Sequence, residues 1–435
     1  MIAQILFALC LAVGIFFFAR KIREVSSLIR LGRPLDRTDR KSERWMTMAR
    51  VALGQSKMGS RPVAAFFHVL IYVGFIIINI EVLEIILDGL TGAHRIFAFL
   101  GGFYDFLIAS FEILAAAVLV ACVVFLARRN LLNIQRFRMP ELKSWPRNDA
   151  NIILVVEILL MSAFLIMNAA DQQLQSIGSA HYAKAGSFPV SGILLPLFQG
   201  TSEHALILLE RSCWWFHILG ILAFLNYVPY SKHFHILLAF PNTWYSKLDH
   251  KGKLDNLEKV TQEVKIMMDP SAAVSSDTQL PERFGAKDVR DLTWKQLMDA
   301  YSCTECGRCT SACPANLTGK KLSPRKIMMD TRDRLEEIGQ QIAKHGPDHN
   351  DGKSLLHDHI TPEELWACTS CNACVEECPV LIDPLSIIIE LRRYMVMEES
   401  AAPAELNGMF TKIENNGAPW QFSPSDRMNW AEQNS

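Results

Sequence analysis

Two cysteine-rich runs in the C-terminal half restrict the fold of this chain more than any other feature. Residues 303–314 and 368–379 both follow the pattern C-x2-C-x2-C-x3-C-P. The first three cysteines of each run are close enough in sequence to share one tight loop. A proline after the fourth cysteine suits the first turn of a helix, where a missing N–H costs nothing, so we expect Pro314 and Pro379 to begin helices.

This spacing is typical of bacterial proteins that hold two [4Fe–4S] clusters, in which the fourth cysteine of each run binds the cluster of the other run. Three thiolates on one loop can reach three irons of one cubane, whereas the fourth points away along the next helix. A disulfide framework and two structural zinc sites are the alternatives, but zinc-binding cysteines usually come as two separated C-x2-C pairs. The predicted ligands are Cys303, Cys306, Cys309 and Cys378 for a first site, and Cys368, Cys371, Cys374 and Cys313 for a second site.

Charge and composition divide the chain of 435 residues into an apolar part and a polar part. Residues 1–246 contain 22 Lys and Arg against 15 Asp and Glu, whereas residues 247–435 contain 22 against 30. The polar part is therefore acidic, which argues against nucleic-acid binding, since that needs a basic face. Eight of the eleven cysteines lie in the two runs. Because cluster assembly needs a reducing compartment, we expect the polar part to lie in the cytoplasm.

Five apolar stretches in the first part are long enough to cross a bilayer, which takes about 20 residues of helix. The first stretch is followed, not preceded, by the basic cluster Arg20–Arg23. This order is the reverse of a cleavable signal peptide, so we expect an uncleaved span with its N-terminus outside. The predicted spans cover about residues 2–19, 63–88, 105–127, 150–170 and 206–230.

The loops between these spans differ in charge, and the difference predicts the orientation of the bundle. Residues 20–62 contain twelve Lys and Arg and residues 128–149 contain six, whereas the opposite loops contain only Arg95 and Lys184. By the positive-inside rule the two basic loops are cytoplasmic. After an odd number of spans, residues 241–435 reach the cytoplasm too, in agreement with the cysteine argument. We therefore expect a multi-pass protein of the cytoplasmic membrane.

Three histidines of the apolar part are candidate haem ligands, because histidine in a membrane helix is costly and usually functional. His68 lies about two turns from the basic end of the second span. His217 and His235 are eighteen residues apart, which on one continuous helix past Pro229 is five turns, or about 27 Å, along the same stripe. His68 and His235 then have matching depth and could hold haem b between them. The alternative is two histidines at the membrane interface, bonded to carbonyls or lipid phosphates.

A second haem on His217 would need a partner about three turns beyond His68, where the sequence has Ile78. His94 and His204, in or beside the outer loops, are the remaining candidates for that partner. Polar residues also crowd this half of the bundle, and they either line a quinone pocket with a proton path or are helix ends that meet water. They are Asn79, Glu81, Glu84, Glu112, Glu210 and Arg211.

The apolar part resembles a known family of membrane cytochromes. The sequences FFH, FHI and YSKHFH around the three histidines are similar to the cytochrome b (gamma) subunit of respiratory nitrate reductases. In that family two histidines of the second span and two of the fifth hold two haems. Here His68, His217 and His235 match, and the fourth position falls near Ile78. The resemblance implies one haem b on His68 and His235, with His217 as the candidate ligand of a second.

The polar part resembles a second family. WKQL at 294–297, which leads into the first run, and GKKLSP at 319–324 resemble the heterodisulfide-reductase-C-like domain. With the tail sequence NGAPW at 416–420, they are similar to membrane iron–sulfur proteins proposed as electron-transfer-flavoprotein:menaquinone oxidoreductases. That family fuses a haem domain, a dicluster domain and a cysteine-rich CCG domain in this order. Here no cysteine follows the second run before Ser435, so the resemblance implies a separate, heterodisulfide-reductase-B/D-like CCG-domain subunit.

These observations predict a mainly α-helical fold: a five-helix transmembrane cytochrome b bundle followed by a cytoplasmic helical domain that holds two [4Fe–4S] clusters. Helices are expected at 294–301, 324–345 and 384–399, and Thr361 is expected to cap another. A loose stretch is expected at Pro270–Ser276. The predicted parts are a haem b domain over 1–240, a connector over 241–292, a dicluster domain over 293–399 and a partner-docking tail over 400–435.

The sequence as a whole predicts an oxidoreductase subunit that conducts electrons in a respiratory chain. Electrons from a cytoplasmic donor would pass through the clusters and haem b to menaquinone. Through the resemblance, the donor is electron transfer flavoprotein, which delivers through the CCG-domain partner. No residue has the pattern of a catalytic acid, base or nucleophile. The alternatives are the membrane subunit of a heterodisulfide- or sulfur-compound-reductase complex with quinol as donor, and a membrane anchor for a soluble redox complex.

Overall fold

The computed structural model describes residues 1–269 and 283–432, which are helical and contain no β-strand. Five helices are long and apolar enough to cross a membrane, which confirms the predicted number of spans. The first four run past the predicted spans at one or both ends. They are α1 (Ile2–Ile29), α3 (Pro62–Thr91), α4 (Gly102–Asn130), α5 (Trp145–Ser176) and α6 (Glu203–Tyr227), and the short α2 (Lys41–Met48) lies between the first two.

The five spans pack in the order α1, α3, α4, α5 and α6, and α1 also packs against α6. Phe111 of α4 and Phe164 of α5 are buried in one apolar core. Small residues let membrane helices approach closely. Gly74 of α3 shows this, because a Cβ there would lie only 2.6 Å from the Val118 side chain of α4. The crossing of α3 and α4 therefore depends on a position without a side chain.

The bundle has a basic end, formed by residues 30–61, residues 131–144 and the chain that follows α6. At this end α6 stops at Tyr227, and two short 3-10 turns precede α7 (His235–Trp244). Pro229 lies in the first of these turns. Proline has no N–H to donate to the preceding turn, so it ends a helix that the apolar pattern alone would continue.

The break after α6 is held by a buried carboxylate of α5. Asp149 accepts hydrogen bonds from the Tyr227 hydroxyl at 2.5 Å and from the Lys232 backbone N–H at 3.1 Å. The expectation of one continuous helix from His217 to His235 is therefore wrong. The two rings do not share a helical stripe, and His235 begins a helix of its own.

The polar part is built from helices around an apolar core, which also includes Val25 and Leu28 of α1. The helices predicted at 294–301, 324–345 and 384–399 are confirmed to within a few residues, and Thr361 caps its helix in a capping box with Glu364. Pro270–Ser276 lies outside the described residues. The helices are α8 (Glu258–Met268), α9 (Trp294–Ser302), α10 (Arg308–Ser311), α11 (Pro314–Leu317), α12 (Pro324–His345), α13 (Pro362–Trp366), α14 (Ala373–Glu377), α15 (Pro384–Met397), α16 (Ala404–Asn416) and α17 (Asn429–Glu432).

The end of α1 joins the bundle to the polar part. Leu28 packs on α12, where a Cβ at Gly339 would lie 2.9 Å from it. Just after α1, the Arg33 N–H donates to the Leu292 carbonyl at 2.7 Å, and the Trp294 N–H donates to the Arg33 carbonyl at 3.1 Å. An apolar contact and a short piece of backbone pairing therefore hold the two parts together.

Helix α7 makes a second connection between the parts. The Asn242 side chain donates to the Val380 carbonyl at 2.9 Å and accepts from the Lys295 ammonium at 3.0 Å. All three groups are at least partly buried, so each hydrogen bond is shielded from water. The helix that begins with His235 is thus fixed to the polar part.

The close crossing of α3 and α4 can be tested with one added side chain. We expect Gly74→Val to lower the thermal unfolding midpoint of the detergent-purified protein, because overpacking costs about 1–3 kcal/mol. Gly102→Val is the matched control, since a Cβ there would meet nothing within 4 Å. Equal midpoints for the two variants would contradict the crossing described here.

Candidate iron–sulfur and haem sites

The two cysteine runs adopt the same loop conformation. Glu305 and Gly307 in the first run have φ values of 51° and 71°, and Ser370 and Asn372 in the second have 55° and 61°. These residues occupy the same two places in the repeated pattern. Positive φ bends the backbone sharply, and glycine and asparagine accept it most readily. Each run therefore forms the tight loop that its spacing predicts.

The prolines that follow the two runs behave differently. Pro314 is the first residue of α11, as predicted, and Cys313 is its N-cap. Pro379 lies in a turn rather than in a helix, so that expectation is wrong. Leu381, two residues later, has a φ of 58°, which no right-handed helix contains. The chain turns at this point before it reaches α15.

The structure brings the fourth cysteine of each run to the three cysteines of the other run, because α10 packs against α14. A pocket in the polar part is lined by four of these side chains, those of Cys313, Cys368, Cys371 and Cys374. On the other side of the helix pair, Cys378 lies within electrostatic range of Cys303, Cys306 and Cys309. Each group has the composition of one crossed ligand set.

The chemistry of the cysteines suits an iron–sulfur cluster. All eleven are free thiols. Burial raises the pKa of Cys303 and of Cys378 to about 12, so their thiolates need a bound cation as partner. Within residues 1–269 and 283–432, no three His, Cys, Asp or Glu side chains converge as ligands of one single metal ion. A cubane is larger, since its four irons take one thiolate each.

Backbone N–H groups point at two of the sulfurs. The Ser370 N–H donates to Cys368 Sγ at 3.4 Å, and the Ile382 N–H donates to Cys378 Sγ at 3.2 Å. Such hydrogen bonds stabilise a thiolate and raise the potential of the cluster that it binds. The two sites differ in exposure, because Cys371 of the second site is exposed whereas Cys303 of the first is buried. The second site therefore faces the surface and the first faces the bundle.

A group of three histidines lies at the basic end of the bundle, and we call His68, His233 and His235 the histidine group. The rings of His233 and His235 are 5.6 Å apart at an angle of 87°. His68 lies within electrostatic range of both. Burial lowers the pKa of His233 to about 3 and also lowers the pKa of His235, so both rings are neutral, the form that binds metals.

Two nitrogen atoms of the histidine group bear on haem binding. The Nδ1 atom of His235 is 2.9 Å from the Lys232 carbonyl, an orientation that leaves Nε2 for a metal. The buried Nδ1 atom of His68 has no hydrogen-bond partner. These residues therefore fit an axial pair. The YSKHFH sequence contains His233 as well, but sequence spacing alone does not indicate that this residue lies beside the other two.

His217 is buried in the bundle, and its Nδ1 atom lies 3.0 Å from the Leu160 carbonyl. Its ring packs against that of Phe164 at 5.9 Å. The two outer histidines, His94 and His204, differ in their surroundings. His94 pairs with the Asp171 carboxylate at 3.3 Å, and His204 is exposed.

The polar residues at the opposite end of the bundle form a hydrogen-bonded core. Arg95 enters it from the loop after α3 and donates to Asp171 at 2.6 Å, to Asn168 at 3.0 Å and to the Tyr104 hydroxyl at 3.1 Å. Tyr104 in turn donates to Glu84 at 2.9 Å. Most of this acidic cluster is therefore structural, and it fixes the outer loop. The sequence does not reveal the role of Arg95, because a loop arginine normally remains in water.

Glu81 is the exception in this core. It is buried on α3, and its Oε2 atom has no hydrogen-bond partner. The carboxyl lines a cavity of about 150 Å³ that Glu84, Glu210, Trp214 and Trp215 also line. The cavity thus combines aromatic walls with one free carboxyl oxygen.

Comparison with known proteins identifies the class of the chain. Two family profiles, each described as a 4Fe-4S dicluster domain, match residues 302–382 and 263–318. The first match contains both cysteine runs. The chain is a membrane iron–sulfur protein. Its five apolar helices and its dicluster domain correspond to the two parts of the fold.

Two relatives match almost the whole chain. A probable iron-sulfur-binding oxidoreductase, FadF of Bacillus subtilis, is 28% identical over 458 residues, which cover 99% of this chain and 61% of the relative. The EtfAB:quinone oxidoreductase of Syntrophomonas wolfei is 26% identical over 428 residues, which cover 92% of this chain and 55% of the relative. The chain therefore spans less than two thirds of the length of these relatives.

A third relative matches a shorter region. A probable membrane-anchored ferredoxin of Chromohalobacter salexigens is 32% identical over 164 residues, which cover 34% of this chain and 24% of the relative. No solved structure matches the chain.

The crossed arrangement of the cysteines can be tested by pairs of substitutions. We expect Cys313→Ser and Cys371→Ser to remove the same cluster, although Cys313 belongs to the first run, and Cys303→Ser and Cys378→Ser to remove the other. Each variant should lose about half of the iron and labile sulfide, and EPR of the reduced protein should show which signal is left. Cys122→Ser is the control and should keep both signals. If Cys313→Ser and Cys303→Ser left the same signal, the ligand sets would not be crossed.

Proposed function

We propose that this chain is the membrane subunit of an electron-transfer complex and that it links a cytoplasmic redox partner to menaquinone in the bilayer. The observation that carries the proposal is the contact between the first cysteine run and the start of α3. Arg308, which lies between Cys306 and Cys309, donates to the Lys57 carbonyl at 2.9 Å. It also lies within electrostatic range of His68. The loop of the first site therefore abuts the histidine group.

Two [4Fe–4S] clusters and a haem b would supply the one-electron carriers of this path. The first and second cysteine sites are the proposed cluster ligands, each as a crossed set of four. His68 and His235 are the proposed axial ligands of the haem, since His235 has Nε2 free and His68 has an unpartnered buried nitrogen. His217, whose ring is fixed by the Leu160 carbonyl, is the candidate ligand of a second haem.

The basic end of the bundle is proposed to face the cytoplasm, which leaves the N-terminus outside. The loops at this end carry most of the Lys and Arg of the apolar part. The polar part, with its eight cysteines, is attached to the same end. Charge and cluster chemistry therefore favour one orientation.

The outer cavity is the proposed quinone site. Its aromatic wall suits a flat apolar ring, and the Phe7 and Trp214 rings in it are 5.4 Å apart. Glu81 would exchange the proton that quinone reduction requires, because its Oε2 atom is not used in the surrounding hydrogen bonds. Glu81 lies about 20 Å along α3 from His68. A second haem on His217 would then be the electron carrier between the inner haem and the quinone site.

The proposed partners are a separate CCG-domain subunit and electron transfer flavoprotein, and two observations support a partner on the polar part. The second site is exposed at Cys371. Residues 400–432 carry exposed apolar side chains that suit docking, since helix α16 has no buried residue and Phe410, Ile413 and Phe422 are exposed. The name of the EtfAB:quinone oxidoreductase favours electron transfer flavoprotein as a partner.

The haem ligands can be tested by optical spectroscopy of the purified protein. We expect His68→Ala and His235→Ala each to abolish the b-type band of the inner haem in the reduced-minus-oxidised difference spectrum, because one imidazole cannot hold it alone. His349→Ala is the control, since that residue lies exposed in a loop of the polar part. His217→Ala should spare this band. A wild-type protein without any b-type signal would overturn the haem proposal.

The direction of electron transfer can be tested in vesicles. We expect reduced electron transfer flavoprotein to reduce a menaquinone analogue when the CCG-domain subunit is present, and we expect Glu81→Gln to slow this reaction at least tenfold. Glu157→Gln changes another carboxyl of the bundle, on α5, that does not line the cavity, and it should not slow the reaction. Transfer from quinol alone would favour the heterodisulfide-reductase-like alternative. No transfer in either direction would favour a membrane anchor.

A further inference from the structure

Arg308 is a buried cation whose hydrogen-bond partners are all neutral. Only 4% of the residue is exposed. Its guanidinium donates to the Lys57 carbonyl at 2.9 Å, to the Ser60 hydroxyl at 3.3 Å and to the Met58 sulfur at 3.3 Å. A buried charge is costly unless an opposite charge compensates it. The environment of Arg308 is therefore incomplete without an anion.

Other buried arginines of the polar part have the partner that Arg308 lacks. Arg325 lies 2.8 Å from the Glu141 carboxylate, and Arg334 lies 2.8 Å from the Asp288 carboxylate. The fold thus pairs its buried arginines with acids where no cofactor is expected. Arg308 is next to Cys309 in sequence and two residues after Cys306, so an anionic cluster held by these thiolates would lie beside it.

Arg136 is a second cation of this kind. It lies within electrostatic range of Cys306, and its buried Nε atom has no hydrogen-bond partner. Burial lowers its pKa to about 10, and the charges of Arg61 and Arg308 act in the same direction. Three cationic side chains therefore lie near the first site, since Lys57 also lies within electrostatic range of Cys378.

The acids near the first site pair with other cations and not with Arg308 or Arg136. Glu305 is shared between two further cations, because it pairs with Lys232 and lies 2.9 Å from Arg332. Glu377 lies 3.8 Å from Arg61, and Glu376 lies 3.7 Å from Lys57. Arg308 and Arg136 keep their charge for the cysteine site.

The second site has a more balanced environment. Arg392 is a cation near Cys368, and Asp383 is an acid near Cys374. Cys371 is exposed to water, which screens charge. The two cysteine sites therefore have the same loop conformation but different electrostatic surroundings.

We propose that Arg308 and Arg136 are counter-charges of the first cluster and make the first site the electron-accepting member of the pair. This inference rests on the proposed function, because it requires both clusters. Four thiolates outweigh the charge of an oxidised cubane, and reduction adds one more negative charge. Cations in a buried site stabilise that charge and raise the reduction potential. One electron then moves from the second site to the first with no bond formed and no proton transferred, so flow is directed from the surface towards the membrane.

The proposal can be tested by EPR-monitored redox titration of the detergent-purified protein with its clusters. The signal of the first site is the one that Cys303→Ser removes. We expect Arg308→Gln to lower the reduction potential of the first cluster by at least about 59 mV. For one electron, a shift of this size changes the equilibrium constant for electron sharing between the two clusters tenfold. Arg136→Gln should act in the same direction. Arg308→Lys keeps the charge, so the potential of the first site in this variant should stay close to the wild-type value.

Two controls separate charge from structure. Ser60→Ala removes one hydrogen bond of Arg308 but no charge, and it should leave both potentials unchanged. Arg392→Gln should lower the potential of the second site only. The proposal is overturned if Arg308→Gln, with full iron content, leaves the first-site potential unchanged, or if Arg308→Lys shifts it as much as Arg308→Gln. Absence of both cluster signals from the wild-type protein would instead refute the proposed function.

Discussion

The contact between the basic end of the bundle and the first cysteine run is the interaction on which the rest of the structure depends. Lys232, in the break after α6, pairs with Glu305 inside the cysteine loop and donates to the Pro146 carbonyl at 2.6 Å. Glu305 also has the positive φ that bends this loop. Breaking such a buried pair costs about 3–5 kcal/mol, a large share of the roughly 5–15 kcal/mol that stabilises a typical domain. One carboxylate therefore shapes the loop of the first site and attaches it to the membrane part.

The sequence predicts those features that depend on local pattern. Apolar length gave the five spans, and the capping box at Thr361 predicted a helix start. Features that depend on tertiary context were not predictable in this way. Pro229 ended α6 with the help of a carboxylate from another helix, and Pro379 lies in a turn because the chain must change direction. The unpaired Arg308 emerges only when its three neutral partners are known.

The repeated cysteine pattern conceals a difference that only the fold reveals. The two loops share their positive-φ positions, so their backbone conformations are similar. The residues around the two loops differ. The first loop is packed against the bundle near Arg136, and the second loop is exposed at Cys371. Similar ligand loops can therefore serve different roles when only the second layer of residues changes.

The break after α6 has a consequence for how the protein is put together. His68 belongs to a membrane helix, whereas His235 begins a helix that Asn242 fixes to the polar part. His68 and His235 are thus supplied by two different parts of the fold, a candidate membrane span and a helix attached to the polar part. Their convergence requires that both segments be complete and docked. A cofactor held by both residues would therefore be retained only by chains whose two parts have assembled correctly.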